Sequence, residues 1–377
     1  MFENFYRGRR VLVTGHTGFK GSWLCEWLLS LGAKVAGYAL DPEPHEVLYD
    51  QLDLGGKLAA DHRGNLSERE RLVDVVVDFK PEVVLHLAAQ PLVRLSYNCP
   101  VETFATNALG TAHLLDAVRI SNHRCAVVAV TTDKCYENQE WLHSYREVDP
   151  MGGHDPYSAS KGAAEIIIKS YRRSFFSPSG RVQLVSARAG NVIGGGDWAI
   201  DRIVPDCIRA IREGIAIPVR NKIATRPWQH VLEPLSGYLW LGAILGNPES
   251  ILGAQRQDIC SSFNFGPVLQ SNRTVLELVQ ELLKHTDGDW TDISDPEAPH
   301  EASKLNLATD KAFHLLHWQP VWSFEETLEK TASWYLADQE GQSDMSQYTC
   351  QQIAEYEAKA QSESLLWSTL QGASITN

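Results

Sequence analysis

The 377-residue sequence has no Cys-x-x-Cys pair, no apolar run long enough to cross a bilayer, no strong internal repeat and no surplus of positive charge. Each absence removes a class of protein. The seven cysteines, at positions 25, 99, 125, 135, 207, 260 and 350, show no His/Cys metal spacing. Neither a metal site nor a disulfide framework is expected, and free thiols in a reducing cytoplasm are. A formal net charge of −13 argues against general affinity for nucleic acid or an anionic membrane. An anionic substrate must then meet positive charge local to its site. No stretch reaches the roughly 18 apolar residues of a membrane span. Residues 1–10 run directly into Val11 without a signal-peptide core. What remains is 44% hydrophobic and 21% charged, an ordinary globular composition in a chain long enough for one large α/β domain and a smaller one.

Short β-branched runs alternate with helical patterns through the first half. Residues 11–13, 34–38, 83–87, 126–130 and 183–187 read as strands, and 22–30 and 107–120 as amphipathic helices between them. Alternating βαβ units imply an α/β, Rossmann-like, doubly wound parallel sheet with ligands at the carboxyl ends of its strands. Beyond Gly190 the texture changes: Gly194-Gly195-Gly196, Pro205, Pro218 and Pro227 interrupt short elements, and 287–299 is acidic and proline-bearing.

The first strand is followed by Gly-His-Thr-Gly-Phe-Lys-Gly at 15–21 and then a helix. Glycine at Gly15, Gly18 and Gly21 permits a tight turn, close approach of a pyrophosphate, and packing of the helix with its N-terminus toward the phosphates. In this place the pattern points to a dinucleotide. Asp41, twenty residues past Gly21 and after the second strand, has the position of a carboxylate that binds the adenosine ribose hydroxyls. Residues 41–46 hold no Arg or Lys to pair with a 2′-phosphate, which favours NAD over NADP. Asn65, after the third strand, is placed to reach the adenine. The expected organisation is an NAD-binding Rossmann domain over 1–190 with a return segment at 228–265, a smaller C-terminal α/β substrate-binding domain from 191–227 and 266–340, and a polar tail over 341–377 with one helix near 351–360.

Asp155-Pro156 reads as an N-cap and first helical residue, which puts Tyr157 in the first turn and Lys161 one turn on, on the same face. A phenol titrates near about 10. The Lys161 ammonium, the positive helix end and a nicotinamide cation would all favour phenolate, so Tyr157 can take a hydroxyl proton while hydride leaves the same carbon. Thr132, past the strand 126–130, is placed to bond the same oxygen. Beside it, Asp133 can protonate a leaving hydroxyl if burial raises its pKa. Lys134 can accept a carbon-bound proton if desolvation lowers its own.

Together these residues resemble the extended short-chain dehydrogenase/reductase family from Gly15 to about Pro320: Gly-x-x-Gly-x-x-Gly, Asn107, Tyr-x-x-x-Lys and Asn191. Within that family the chain is similar to the sugar-nucleotide 4,6-dehydratases, which carry Thr-Asp-Glu, and above all to the CDP-glucose subgroup, which has Lys as the third member. Shared stretches include 15–23, 88–94, 133–136, 190–198 and Arg-Pro-Trp-Gln-His at 226–230. The resemblance implies NAD, held also by Thr17, Phe19, Leu66, Ala88, Ala89 and Asn107, with Tyr157 and Lys161 beside it. It implies oxidation of CDP-glucose at C4 by Tyr157, supported by Thr132 and Lys161. Lys134 would then remove the C5 proton, Asp133 would protonate the departing C6 hydroxyl, and hydride would return to C6. The product, CDP-4-keto-6-deoxyglucose, would feed deoxysugar synthesis for surface polysaccharide such as lipopolysaccharide O-antigen. A homodimer through a helix bundle, or a dimer of dimers, is also implied. Two departures stand out: Asn65 replaces the family's usual Asp, which lowers the expected cofactor affinity, and the tail after Gly341 is only loosely similar.

On the substrate side, Arg226 is the candidate for the diphosphate, since a guanidinium matches phosphate oxygens bidentately. Asn191, after a strand end, is a candidate for sugar or phosphate, and Arg202 and Asn264 are further candidates. His86, within a strand, and Trp23 and Trp27, four apart on the first helix, read as core. Rival readings are a dTDP- or GDP-sugar dehydratase, more usually with Glu at 134, a sugar-nucleotide 4-epimerase, and a silent NAD-binding sensor with a protein partner. Asp133-Lys134 argues against the epimerase, and the intact Tyr157/Lys161 pair against the sensor.

Overall fold

The computed structural model describes residues 1–42, 48–294, 304–341 and 344–369. Seven strands form one wholly parallel sheet: β1 (Arg10–Thr14), β2 (Lys34–Ala39), β3 (Ala60–Arg63), β4 (Val83–His86), β5 (Cys125–Thr132), β6 (Val182–Ala189) and β7 (Ser262–Phe265). Their order across the sheet is β7-β6-β5-β4-β1-β2-β3. The order reverses between β1 and β4, and a crevice for ligands opens at the carboxyl ends there.

The longer helices are α1 (Phe19–Ser30), α2 (Arg69–Phe79), α3 (Gly110–Ser121), α4 (Pro156–Ser174), α5 (Ile203–Glu213), α6 (Leu232–Gly246), α7 (Phe324–Glu340) and α8 (Met345–Ser362). Alternate strand residues feed two cores. Val11, Val13, Leu85 and Val128 pack with Trp23 and Trp27 of α1 and Leu235 and Leu239 of α6. Leu12, Val84, Val127 and Ala129 pack with Leu72 and Val76 of α2, Leu114 of α3 and Ile168 of α4. Both faces are therefore covered, which explains why the strands read as continuous apolar runs. Past residue 230, α6 packs against β4, β5 and β6, and β7 adds the edge beside β6.

Over the carboxyl edge lie α5 and three small strand pairs. Thr225–Pro227 runs antiparallel to Asn272–Thr274, Ile217–Val219 runs parallel to Trp290–Asp292, and Val192–Ile193 runs parallel to Gln229–His230. The C-terminal stretch differs from its polar composition. Its helix extends well beyond 351–360, begins on an Asp344 cap that accepts from the Ser346 and Gln347 nitrogens, and packs on α1 and α7. Tyr356 and Trp367 are fully buried, and Trp367 stacks on Phe2 with ring centroids 5.2 Å apart. Trp27 donates to Glu357 at 2.7 Å, so the last helix seals the apolar face of the first. Among the described residues no helix is long and apolar enough to cross a membrane.

Candidate active site

The crevice has a cofactor side and a catalytic side. On the first, the loop after β1 turns at Gly15, whose φ of +78° suits only glycine comfortably. A Cβ there would lie 2.7 Å from the Ala88 nitrogen, and one on Gly21 would collide with the Gly15 carbonyl oxygen. Gly18, exposed, would meet nothing nearer than 3.6 Å. It is also the N-cap of α1 and offers no side-chain cap, which leaves the first helical N–H groups open to an anion. Thr17 donates to the Leu40 carbonyl at 3.2 Å and ties the loop to the end of β2. Phe19 sits against Gly194. A backbone cradle between Gly18 and Ala88-Ala89, with an uncapped helix end, fits a dinucleotide pyrophosphate.

Asp41 stands just past the end of β2 with its side chain 86% exposed. Residues 43–46 of the stretch read for cofactor choice lie outside the described residues. Beyond that stretch a cation does approach: Arg63, at the end of β3, comes within 3.9 Å of Asp41. Neighbours on the adjacent strand are invisible to a local sequence window. Asn65 also differs from expectation. Its Oδ1 accepts from the Ser67 nitrogen at 2.9 Å, so that oxygen shapes the turn into α2. Leu66 is buried against Gly110, and its carbonyl accepts from His113. Asn107, in a π-type turn at Ala105–Leu109, is 1% exposed. Its amide bonds both the nitrogen and carbonyl of Gln90 and the Ser160 hydroxyl. It clamps the 88–92 loop to α4 and so positions the cofactor wall.

On the catalytic side, Asp155 caps α4 by accepting from the Ser158 nitrogen at 2.9 Å, with Pro156 at the first helical position. Tyr157 and Lys161 are buried on one face of that helix. The protein's own groups raise the Tyr157 phenol, whereas the expected lowering also counts on a nicotinamide cation. Burial and the Asp133 charge push it up to about 12, against a Thr132 hydrogen bond and the Arg202 charge that pull it down. Burial also pushes Lys161 down to about 8, with Cys135 and Glu165 opposing. Lys161 thus keeps its proton below about pH 8, and Tyr157 stays a phenol until further positive charge reaches it. Thr132 donates to Asp133 Oδ1 at 2.9 Å, and its Oγ1 receives the Lys134 nitrogen at 3.3 Å. Asp133 is 2% exposed and faces Gly190, where a Cβ would lie 2.9 Å from its Oδ2. Lys134 is half-buried, with no ion-pair partner among the described residues.

The substrate-side candidates divide. Gly190, next to Asn191, lines a small cavity with Pro227, next to Arg226, together with residues 266–269, Asn306 and Leu307. Arg226 is buried and donates to the Thr225 carbonyl at 2.8 Å. Arg202 pairs with Asp197 at 2.8 Å and acts electrostatically on Tyr157. Asn264 is not a sugar ligand: it is fully buried, its Oδ1 accepts from Tyr136 at 2.7 Å, and its Nδ2 donates to the carbonyls of Tyr145 and Ala308. His86 is likewise structural, bonded through its two nitrogens to Thr14 and Thr111.

Two features escape sequence reading. Lys20, inside the glycine loop, is pushed down to about 8 by burial and by Arg202, and it senses Asp133 and Lys161 as well. A charged residue in a glycine turn was the available signal. The other is Glu165, one turn beyond Lys161, which pairs with Arg188 at 2.8 Å with both side chains buried.

Fold and site together define an extended short-chain dehydrogenase/reductase: a seven-stranded parallel Rossmann sheet, a glycine loop after its first strand, and Tyr-x-x-x-Lys opening a helix beside it. The GDP-mannose 4,6 dehydratase family matches residues 12–331, and the chain belongs to that family. It is 46% identical over 340 residues to the CDP-glucose 4,6-dehydratase of Salmonella typhimurium, covering 89% of this chain and 92% of that one. Its fold is similar to the dTDP-glucose 4,6-dehydratase DesIV of Streptomyces venezuelae, solved with NAD and TYD bound (TM-score 0.72, 23% identity, 89% and 99% covered). It is equally similar to the UDP-glucose 4-epimerase of Thermotoga maritima (TM-score 0.73, 20% identity, 88% and 99% covered). The fold alone therefore does not separate dehydratase from epimerase, and the side chains must.

Proposed function

We propose that the chain is an NAD-dependent CDP-glucose 4,6-dehydratase, converting CDP-glucose to CDP-4-keto-6-deoxyglucose and water. The observation that carries this reading is the buried Asp133, with Lys134 beside it, on the same strand end as Thr132 and next to Tyr157. An epimerase eliminates nothing and has no use for that acid. The 46% identity to a CDP-glucose enzyme supports the nucleotide.

A bound nicotinamide supplies the hydride acceptor and donor. Tyr157 takes the C4 hydroxyl proton, with Thr132 orienting that oxygen. A protonated Lys161 one turn along α4 stabilises the phenolate that Tyr157 must be before it takes that proton. The C4 ketone acidifies the C5 proton, which Lys134 removes while Asp133 protonates the departing C6 hydroxyl. Arg226, Asn191 and Arg202 are the candidates for a nucleotide diphosphate, since guanidiniums match phosphate oxygens, with Arg202 already paired to Asp197.

Seven free cysteines support a reducing, cytoplasmic setting. Exposed Tyr97, Val101, Phe104 and Leu109, on helices that pack against α4 with its exposed Ile166, support a homodimer. Purified protein supplied with NAD and, separately, CDP-, dTDP-, GDP- and UDP-glucose should develop the alkaline absorbance of a 4-keto-6-deoxy sugar with the CDP-sugar. No product from CDP-glucose would sink the reading.

A further inference from the structure

The two sets of catalytic side chains sit on different elements: Asp133 and Lys134 in the Asp133–Cys135 turn after β5, Tyr157 and Lys161 on α4. One buried cluster holds them in register. Glu165, 3% exposed, lies one turn beyond Lys161 on α4. Its carboxylate accepts from Thr131 Oγ1 at 2.6 Å, Ser186 Oγ at 2.9 Å and Arg188 Nη2 at 2.8 Å. Arg188, also 3% exposed, sends its other terminal nitrogen to the Tyr136 hydroxyl at 2.7 Å and the Glu147 carbonyl at 3.2 Å. Its guanidinium lies 5.0 Å over the Tyr136 ring. Tyr136 in turn donates to Asn264 at 2.7 Å. Thr131 and Tyr136 are the residues that bracket Thr132-Asp133-Lys134-Cys135, so the same ion pair grips that segment at both ends.

We propose that the Glu165–Arg188 pair positions the Asp133–Lys134 turn against the Tyr157–Lys161 face, and that elimination depends on it more than oxidation does. Tyr157 and Lys161 are placed by α4 itself. The turn is a single short helical turn packed on α4, tied by the Gly152 nitrogen to the Cys135 carbonyl, and the ion pair adds the anchors at its two ends. An apolar pair of like volume would fill the same space at similar stability, so the charges are explained by geometry rather than by folding energy. Burial raises the Glu165 carboxyl, yet Arg188 and the hydroxyl donors outweigh it and hold it ionised. Displacement of a reacting group by about 1 Å is enough to cost about 100-fold in rate. Glu165, Arg188 and Tyr136 are thus positioning residues that touch no substrate.

The proposal rests on the dehydratase reading, and two readouts on the NAD-loaded enzyme with CDP-glucose separate them. Oxidation moves the C4 hydrogen to the nicotinamide and the hydroxyl proton to Tyr157, and is read as reduced-nicotinamide absorbance. Elimination moves the C5 proton to Lys134 and releases the C6 oxygen as water, and is read as solvent deuterium entering C5. Tyr136→Phe removes one hydroxyl from the cluster. It should form reduced nicotinamide within about threefold of the parent rate while C5 exchange slows at least about tenfold, so that reduced cofactor accumulates. Glu165→Gln, which keeps an acceptor for Thr131 but loses the charge that also supports the Lys161 proton, should show the same split at a pH well below 8. If both steps slow equally, or neither changes, in the folded variants, the pair is only structural and the proposal is overturned. A parent enzyme that shows neither readout would instead remove the dehydratase reading itself.

Discussion

The two sides of the crevice are built on different principles. The cofactor side is made of backbone: Gly15, Gly18, Gly21 and the 88–92 loop clamped by Asn107, with Asp41 and Arg63 as its outer charges. The catalytic side is made of buried titratable side chains, Asp133, Tyr157, Lys161, Glu165 and Arg188, of which the last two hold one another. A backbone cradle fails by steric collision. A charged cluster fails by losing a proton or a partner. The contrast explains why a fold shared with epimerases need not fix the chemistry: the cradle belongs to the sheet, whereas the reaction depends on a few side chains at one strand end.

Substitutions can break this contrast, the largest effect first. Tyr157→Phe should lower reduced-nicotinamide formation from CDP-glucose by about 10²–10⁴-fold, the usual worth of a general base, with an unchanged melting temperature. Lys134→Met should leave that first step in place and slow C5 exchange by about 100-fold or more, read by deuterium incorporation. On the cofactor side Gly21→Ala should cost about 1–3 kcal/mol of stability by overpacking, seen in denaturant unfolding. Gly18→Ala, whose Cβ has room, should leave stability alone and weaken only NAD binding in a fluorescence titration. Asp41→Ala should reduce the preference for NAD over NADP by about tenfold, because removing one charged hydrogen-bond acceptor leaves Arg63 to receive a 2′-phosphate.

Smaller effects follow from protons. kcat/KM should fall as pH rises through about 8, where Lys161 loses the charge that supports the phenolate. Stability moves the other way. The folded pKa of Lys161 is below its ordinary 10.5, so the unfolded chain holds that proton more tightly, and its contribution grows from about pH 8 upward. Glu233 is the opposite case. Burial pushes this carboxyl, which accepts from the Val321 and Trp322 nitrogens and from Tyr356, up to about 7. The stability it lends is present below its ordinary 4.5 and lost as pH rises through about 7, and Glu233→Gln should flatten that slope in unfolding curves.

Residues near one another in sequence were the legible ones. The glycine loop, the Asp155-Pro156 helix start and the four-residue spacing of Tyr157 and Lys161 follow from local geometry, and the alternating pattern yields the parallel sheet. Arg63 beside Asp41, Arg188 beside Glu165 and Tyr136 on Asn264 come from separate elements, so no short window of sequence contains them. Asn264 and Asn107 look like ligands because amides are versatile; only burial reveals that their bonds are internal. The C-terminal helix is hidden for another reason. Its buried residues, Ile353, Tyr356 and Ala360, are spaced among glutamines and glutamates, and the aromatic partners that make them a core, Trp27 and Phe2, lie more than three hundred residues away.

The central claim, that Asp133 and Lys134 convert a hydride-transferring fold into a dehydratase, is tested most directly with CDP-glucose carrying deuterium at C4. The account predicts a 4-keto-6-deoxy product with that deuterium at C6. Deuterium returned to C4 of an inverted sugar, with no 6-deoxy product, would contradict it.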